Sequence, residues 1–496
     1  MIQRQLYIYF LLVTSITLNL FQLPAMPAAK ATMAVGIKRL PPPAQESPAQ
    51  EFTSSPSAAP IAAAPSPAGE KYNIDVVMDY DRHFVTVEEI ITYPNRTNVQ
   101  LDSLTLAVPP NLAPNCFDLI RLAVDSIPVT DYNLNQHRLD VSLPYLLEPD
   151  SVVQLTLRYT LSLPYLNQFD YINAPVFGYT DMQANLTNWY PFVVPFINGE
   201  WTLHDPWWYG DYLVYPTADY EVNLLFVGGE DAPVVAASGS AERIVDFTRY
   251  TLEDGRAFAF SISPNFEVSR MNVGETTVSS YYLPAYRKPA EAAMKASAQA
   301  IDFFSEQFGE YPRSTFSIVQ AGLSDSREFS GLSFISRNFY QLYDGTPNNY
   351  LTYVSVHTAA HQWWFDQVGN DPAMEPWLDE SLATYSERLF FESIHPDLLA
   401  YWQTNRVDFF RPQGKINAAI YDSTNQDTYR QAVYFNGVYF LRDLRRRIGD
   451  EAFFTFLRDY YAQSRGRNVN ANDFFRILGK YTDVDYSDIV RGYFKK

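Results

Sequence analysis

At 496 residues, 47% hydrophobic and 16% aromatic, the chain is too long for one ordinary domain and rich enough in apolar side chains for two or three packed cores, which excludes a mainly disordered protein. Its formal net charge of −19 excludes a nucleic-acid partner, because phosphate binding rests on basic surface. Cys116 is the only cysteine, so no intrachain disulfide forms, and its setting in Asn115-Cys116-Phe117 is that of an inert buried thiol.

Residues 1–31 begin with Arg4 in a short leader, run from Leu6 to Ala29 without a charge, and reach Ala29-Lys30-Ala31, a small-x-small cleavage pattern. This predicts export, with the folded part secreted, periplasmic or membrane-anchored outside the cytoplasm. Two readings of the segment stay open. Thr14, Ser15, Thr17, Asn19 and Gln22 favour a cleaved signal peptide, while the length allows an uncleaved anchor, the one case in which a membrane is a partner. Residues 32–71 read as a Pro/Ala-rich linker: eight prolines fall within 41–68, beside almost no core-forming side chains.

From residue 72 the texture is that of strands. Residues 74–80, 84–93, 152–163, 220–227 and 258–263 are β-branched and aromatic, often alternating, and 72–268 is expected to form an all-β sandwich. Within it, Asn188-Trp189-Tyr190-Pro191 and Asp205-Pro206-Trp207-Trp208-Tyr209, with His204 beside them, read as loops packed on the sandwich, the competing reading being a substrate-facing rim. Near Pro289 the period shifts to 3.6: 290–308 predicts an amphipathic helix stopped by Gly309, 315–320 and 332–336 predict strands, and 431–447, 450–461 and 471–481 carry helical apolar stripes. Residues 269–496 thus form a second, mainly helical α/β domain.

The stretch that carries chemistry is Val356-His357-Thr358-Ala359-Ala360-His361-Gln362-Trp363-Trp364, followed by Trp377-Leu378-Asp379-Glu380. Side chains at i and i+4 share a helix face, so His357 and His361 can present two imidazoles to one ion. Zinc suits that pair, with Glu380 as third ligand from a second helix that Pro376 can start. The competing reading is a pair of histidines satisfied by hydrogen bonds inside a helical core. The zinc-peptidase helix motif reads His-Glu-x-x-His, its Glu serving as general base, and here Thr358 holds that position.

These residues resemble the zinc aminopeptidases that include membrane alanyl aminopeptidase and leukotriene hydrolase, the gluzincins, and the likeness runs from Tyr72 to the end of the chain. It rests on His357-x-x-x-His361-Gln-Trp-Trp, Trp377-Leu378-Asp379-Glu380, Ser317-Ile318-Val319 leading to Glu328-Phe329-Ser330-Gly331-Leu332, and Tyr434-Phe435-Asn436-Gly437. The resemblance implies a β-sandwich followed by a thermolysin-like catalytic domain, one zinc ion on His357, His361 and Glu380, and peptides with a free amino terminus as partners. It also implies that Glu328 holds the substrate ammonium, that Tyr434 donates to the oxyanion, and that Tyr429 lies near the site. Read from the residues alone, the favoured readings are a surface carboxylate for Glu328 and an ordinary core tyrosine for Tyr434.

Several family positions are altered together. Besides Thr358, Asp325-Ser326-Arg327 replaces a Gly-x-Met before Glu328, Phe365 and Ser381 stand where glycines are usual, and the charged residues between Tyr434 and Gly437 are gone. The chain stops soon after Tyr434, so the large C-terminal helical domain of longer relatives is expected to be missing and the cleft more open. The expectation is a zinc metallopeptidase-like protein of weak or lost activity. The alternatives are a working enzyme that uses another carboxylate such as Glu328, and a non-catalytic peptide-binding or scaffold module at the cell surface.

Overall fold

Alternation sets the N-terminal half. In Phe84–Pro94, Val85, Val87, Ile91 and Tyr93 point into the core while Thr86 and Glu88 face outward. That strand pairs antiparallel with Glu70–Asp79 and with Val152–Ser162, and Glu70–Asp79 pairs parallel with Ala218–Val227. They form the centre of an eight-stranded sheet, whose apolar face shares one core with two four-stranded sheets. The computed structural model describes residues 69–166, 176–228, 233–323 and 325–495. The expected leader and nearly all of the linker lie outside these residues. No helix among the described residues is long and apolar enough to cross a membrane.

One residue breaks the alternation's chemistry. Glu89 falls on the buried face, is 0% exposed, and neither carboxyl oxygen has a hydrogen-bond partner. Burial pushes its pKa well above 4.5, and the Tyr159 hydroxyl beside it offsets only part of that. A raised folded-state pKa gives stability that is complete below the unfolded value and is lost as pH rises above it. Glu89→Gln is therefore expected to gain on the wild type as pH rises from about 4.5, by up to about 1.4 kcal/mol per pH unit, read from urea midpoints across the range.

The second half opens on two strands that the sequence reading did not single out. Strands Glu267–Val273 and Thr276–Tyr282 turn away from the β-rich region and lead a five-stranded sheet with Thr315–Ala321, Leu332–Ser336 and, at its edge, Arg327–Phe329. The reason is non-local: Thr276–Tyr282 pairs parallel with Thr315–Ala321 across the intervening helix Arg287–Phe308. That helix stacks its Ala-rich and Phe-rich face against helix Tyr350–Ala360, which in turn packs on helix Trp377–Ile394. The predicted 431–447 helix is two elements, a π-helical turn Gln431–Phe435 and helix Asn436–Ile448.

A fully buried Arg256 ties the halves together. It donates to the carbonyls of Tyr215, Asp366 and Arg467 and to Asn468 Oδ1, at 2.6–3.0 Å. Asp366 lies just past the helix that carries the histidines, so this clamp also fixes the exit from the candidate site.

Candidate metal centre

Helix Tyr350–Ala360 is buried from Leu351 onward and is started by Asn349, whose side chain accepts from the Thr352 N–H at 3.1 Å. His361 is its C-cap, and the two tryptophans that follow pin the turn: Trp363 Nε1 donates to Gly309 O and Trp364 Nε1 to Ser386 Oγ. Helix Trp377–Ile394 brings Glu380 in its first turn. His357, His361 and Glu380 converge, with donor atoms within 4.8 Å of one another.

The geometry fits a tetrahedral cation. Zinc bonds of 2.0–2.2 Å at tetrahedral angles put ligand atoms about 3.3 Å apart. Here the two Nε2 atoms are 3.0 Å apart and Glu380 Oε2 lies 3.3 Å and 3.4 Å from them. The outer nitrogens face acceptors: His361 Nδ1 is 2.9 Å from Trp364 O in a hydrogen bond, and His357 Nδ1 lies 2.9 Å from Glu387 Oε1 in an ion-pair contact whose angle is too bent for a hydrogen bond. Each neutral ring then keeps its proton at Nδ1, and two Nε2 lone pairs face each other beside a buried Glu380 Oε2 that accepts no hydrogen bond. Only a positive charge satisfies the three together. Without a metal the need falls on protons: burial opposes it, yet Glu328 and Glu380 push His361 up to about 10. Burial likewise disfavours the Glu380 carboxylate, but the two imidazoles hold it well below the usual range.

Thr358 is fully buried and its hydroxyl donates back to Ser355 O, 3.4 Å away in the same helix. Glu328, on the edge strand Arg327–Phe329, places Oε1 3.4 Å from His361 Nε2. Gln362 sets that distance by clamping the hairpin, its Oε1 accepting from the Gly331 N–H and its Nε2 donating to Phe329 O. Tyr434, presented by the π-helical turn, donates to Glu380 Oε1, and its ring stacks on His357 at 5.9 Å. Tyr429 is buried, with its ring 5.8 Å from Tyr434. Of the seven residues singled out from sequence, the structure gathers His357, His361, Glu380, Glu328, Tyr434 and Tyr429, while Thr358 adjoins His357 in the chain with its hydroxyl turned back along the helix.

It adds an eighth, Asp211, whose carboxylate lies within 4.8 Å of those of Glu328 and Glu380. Asp211 comes from the β-rich region, and Gly210 makes the approach possible: it has φ +74°, and a β-carbon there would meet Ile420 at 2.6 Å and the Tyr429 hydroxyl at 3.2 Å. Solvent reaches Asp211 through the cleft, but surrounding protein still raises its pKa; Arg327 opposes the rise and Glu380 adds to it. The aromatic loops divide between their two readings. Trp189 and Tyr190 are core residues, whereas Asn188, Pro206 and Trp207 line the cleft of about 510 Å³ that leads to His361.

Ser381, in place of a glycine, donates to Val433 O at 2.6 Å and lies directly over Gly437, where a β-carbon would collide with Ser381 Oγ and Cβ. Gly437→Ala is expected to cost about 1–3 kcal/mol from overpacking, and Ser381→Gly in the same chain should recover most of it, as read from urea unfolding.

Two imidazoles from one helix and a carboxylate from the next, in a helical domain behind a β-rich one, define a gluzincin-type metallopeptidase fold. Residues 292–493 match the Peptidase family M1 domain, which implies one zinc ion at a centre whose donors fit it. The M1 zinc metallopeptidase of Deinococcus radiodurans, solved with a Tyr-Ser-Ala substrate, aligns with TM-score 0.62 at 17% identity over 86% of this chain and 94% of that one. Aminopeptidase N of Lactobacillus helveticus is 27% identical over 242 residues, 43% of this chain and 28% of its own length. Aminopeptidase 2 of Candida albicans is 23% identical over 228 residues, 42% of this chain and 24% of its own length. The chain matches about a quarter of the length of these curated relatives.

Proposed function

We propose that this protein binds the amino-terminal end of peptides at a zinc site and hydrolyses them weakly or not at all. The observation that carries the reading is the pairing of a complete His357, His361 and Glu380 donor set with a Thr358 hydroxyl turned back onto Ser355 O. The carboxylates of Asp211, Glu328 and Glu380 gather within 4.8 Å of one another, a concentration of negative charge suited to an ammonium, and a free amino terminus is the charge that distinguishes a chain end from its middle. A zinc ion bound at the centre would polarise a peptide carbonyl and acidify a bound water. Tyr434 would turn its hydroxyl from Glu380 to the developing oxyanion. Burial, with Glu380 adding to it, holds that phenol far above its ordinary pKa, so it stays a donor. What the chain lacks is a group on the metal helix that takes the water proton, a role worth about 10²- to 10⁴-fold.

Metal analysis of the purified protein tests the first half of the reading, with about one zinc per chain expected. Turnover of amino-acid anilides tests the second. A rate in the range of efficient peptidases that disappears with chelator would overturn the impairment. A second reading has one favourable observation, the 3.4 Å between Glu328 Oε1 and His361 Nε2: Glu328 would accept the proton itself. It predicts wild-type turnover with an acidic limb in the pH–rate profile, the rate falling as Glu328 is protonated. The non-catalytic module remains the limit of zero turnover, recognised by binding of peptides with a free amino terminus and none with an acetylated one. Export through residues 1–31 belongs to the same proposal, and amino-terminal sequencing of the mature protein checks it.

A further inference from the structure

Phe365 has φ +148°, whereas the other ten non-glycine residues of positive φ, among those described, lie between +45° and +68°. A side chain in that wide positive region is strained, and such strain persists only where the surroundings dictate it. Both neighbours are fixed. Trp364 gives its carbonyl to His361 Nδ1 at 2.9 Å, and the buried Asp366 takes Arg313 Nη2 at 2.9 Å and donates its N–H to His361 O at 3.0 Å. A glycine would fill this corner without strain. Instead the half-buried ring lines the cleft beside His361, Glu328, Phe329 and Asp211 and packs against the apolar cluster that contains Phe329.

We propose that Phe365 is a specificity-determining wall: its ring, held at the cost of backbone strain, narrows the space beside the ammonium-binding carboxylates and excludes large amino-terminal side chains. The inference rests on the amino-terminal reading of the cleft. It differs from a packing role, which would make Phe365 a contributor to stability with no influence on which ligand fits.

The full chain loaded with zinc is titrated calorimetrically with L-alaninamide and L-phenylalaninamide, as wild type, Phe365→Ala and Phe365→Gly. Both variants are expected to shift the affinity ratio toward phenylalaninamide by about tenfold or more. Phe365→Ala removes the ring but keeps the strain and Phe365→Gly removes both, so the glycine variant should melt higher. Ratios within about twofold of wild type in both variants overturn the proposal, as does a glycine variant that melts no higher than the alanine variant. Failure of the underlying reading looks different: the wild type binds neither amide and Glu328→Gln changes nothing, and the proposal falls with it.

Discussion

Thr358→Glu is expected to raise kcat for an amino-acid anilide by about 10²- to 10⁴-fold over the wild type, equivalent to about 3–5 kcal/mol of barrier. Position 358 adjoins His357 on the buried helix, so a longer acidic side chain there projects from the element that carries the first two donors. The threonine hydroxyl is no proton acceptor at neutral pH, and it is engaged with Ser355 O. Thr358 is 0% exposed, so the larger side chain also brings overpacking of about 1–3 kcal/mol, visible as a lower melting temperature and separable from the rate. Thr358→Gln supplies the control, with nearly the same volume and no base. A rise confined to the Glu variant and abolished by chelator supports the impairment. Equal rates in wild type, Glu and Gln variants would show that the water proton leaves by another route and would move attention to Glu328.

The departures around Thr358 are structurally connected. Ser381 occupies the contact over Gly437, Phe365 adopts a glycine-like backbone, and Arg327 lines the cleft beside Glu328 and Asp211. Each alters the wall or support of the same centre, which is what a site under changed selection for ligand or rate would accumulate. Restoring the base alone therefore tests chemistry, while Phe365 tests what enters.

The metal centre was readable because its determinants are local. The four-residue spacing of His357 and His361, and Pro376 ahead of Glu380, need only helix geometry to be interpreted. Asp211 was not readable, since it reaches Glu328 and Glu380 from the β-rich region and depends on the conformation of Gly210. Its signal, a glycine–acid pair after Trp207-Trp208-Tyr209, resembles an ordinary packing loop. The strands that open the second domain were hidden likewise: burial does not alternate along Glu267–Val273, and only the pairing of Thr276–Tyr282 with Thr315–Ala321 assigns the two to that sheet. The π-helical turn that aims Tyr434 at Glu380 has no periodicity of its own in so short a segment.

The second large effect falls on Glu387, about two turns beyond Glu380 on the same helix face. Its carboxylate is fully buried; Arg406 donates to both oxygens at 2.7 and 2.8 Å, Trp402 Nε1 donates at 3.2 Å, and His357 Nδ1 lies 2.9 Å away. Glu387→Ala should destabilise the fold by about 3–5 kcal/mol, because it strands a guanidinium whose side chain is 11% exposed. It should also weaken zinc binding about 10- to 100-fold, since the carboxylate is what fixes the proton at Nδ1 and turns Nε2 toward the metal. Burial disfavours the ionised carboxylate but Arg406 outweighs it, leaving the folded pKa below 4.5. The stabilisation is therefore full at neutral pH and fades as pH falls below about 4.5, so the gap between wild type and variant should close in acid. Glu387→Gln separates the two roles. An amide oxygen can still accept from His357 Nδ1, so zinc affinity should fall less than stability. Unchanged zinc affinity in both variants would mean that packing between Tyr434 and helix Trp377–Ile394 orients His357 unaided.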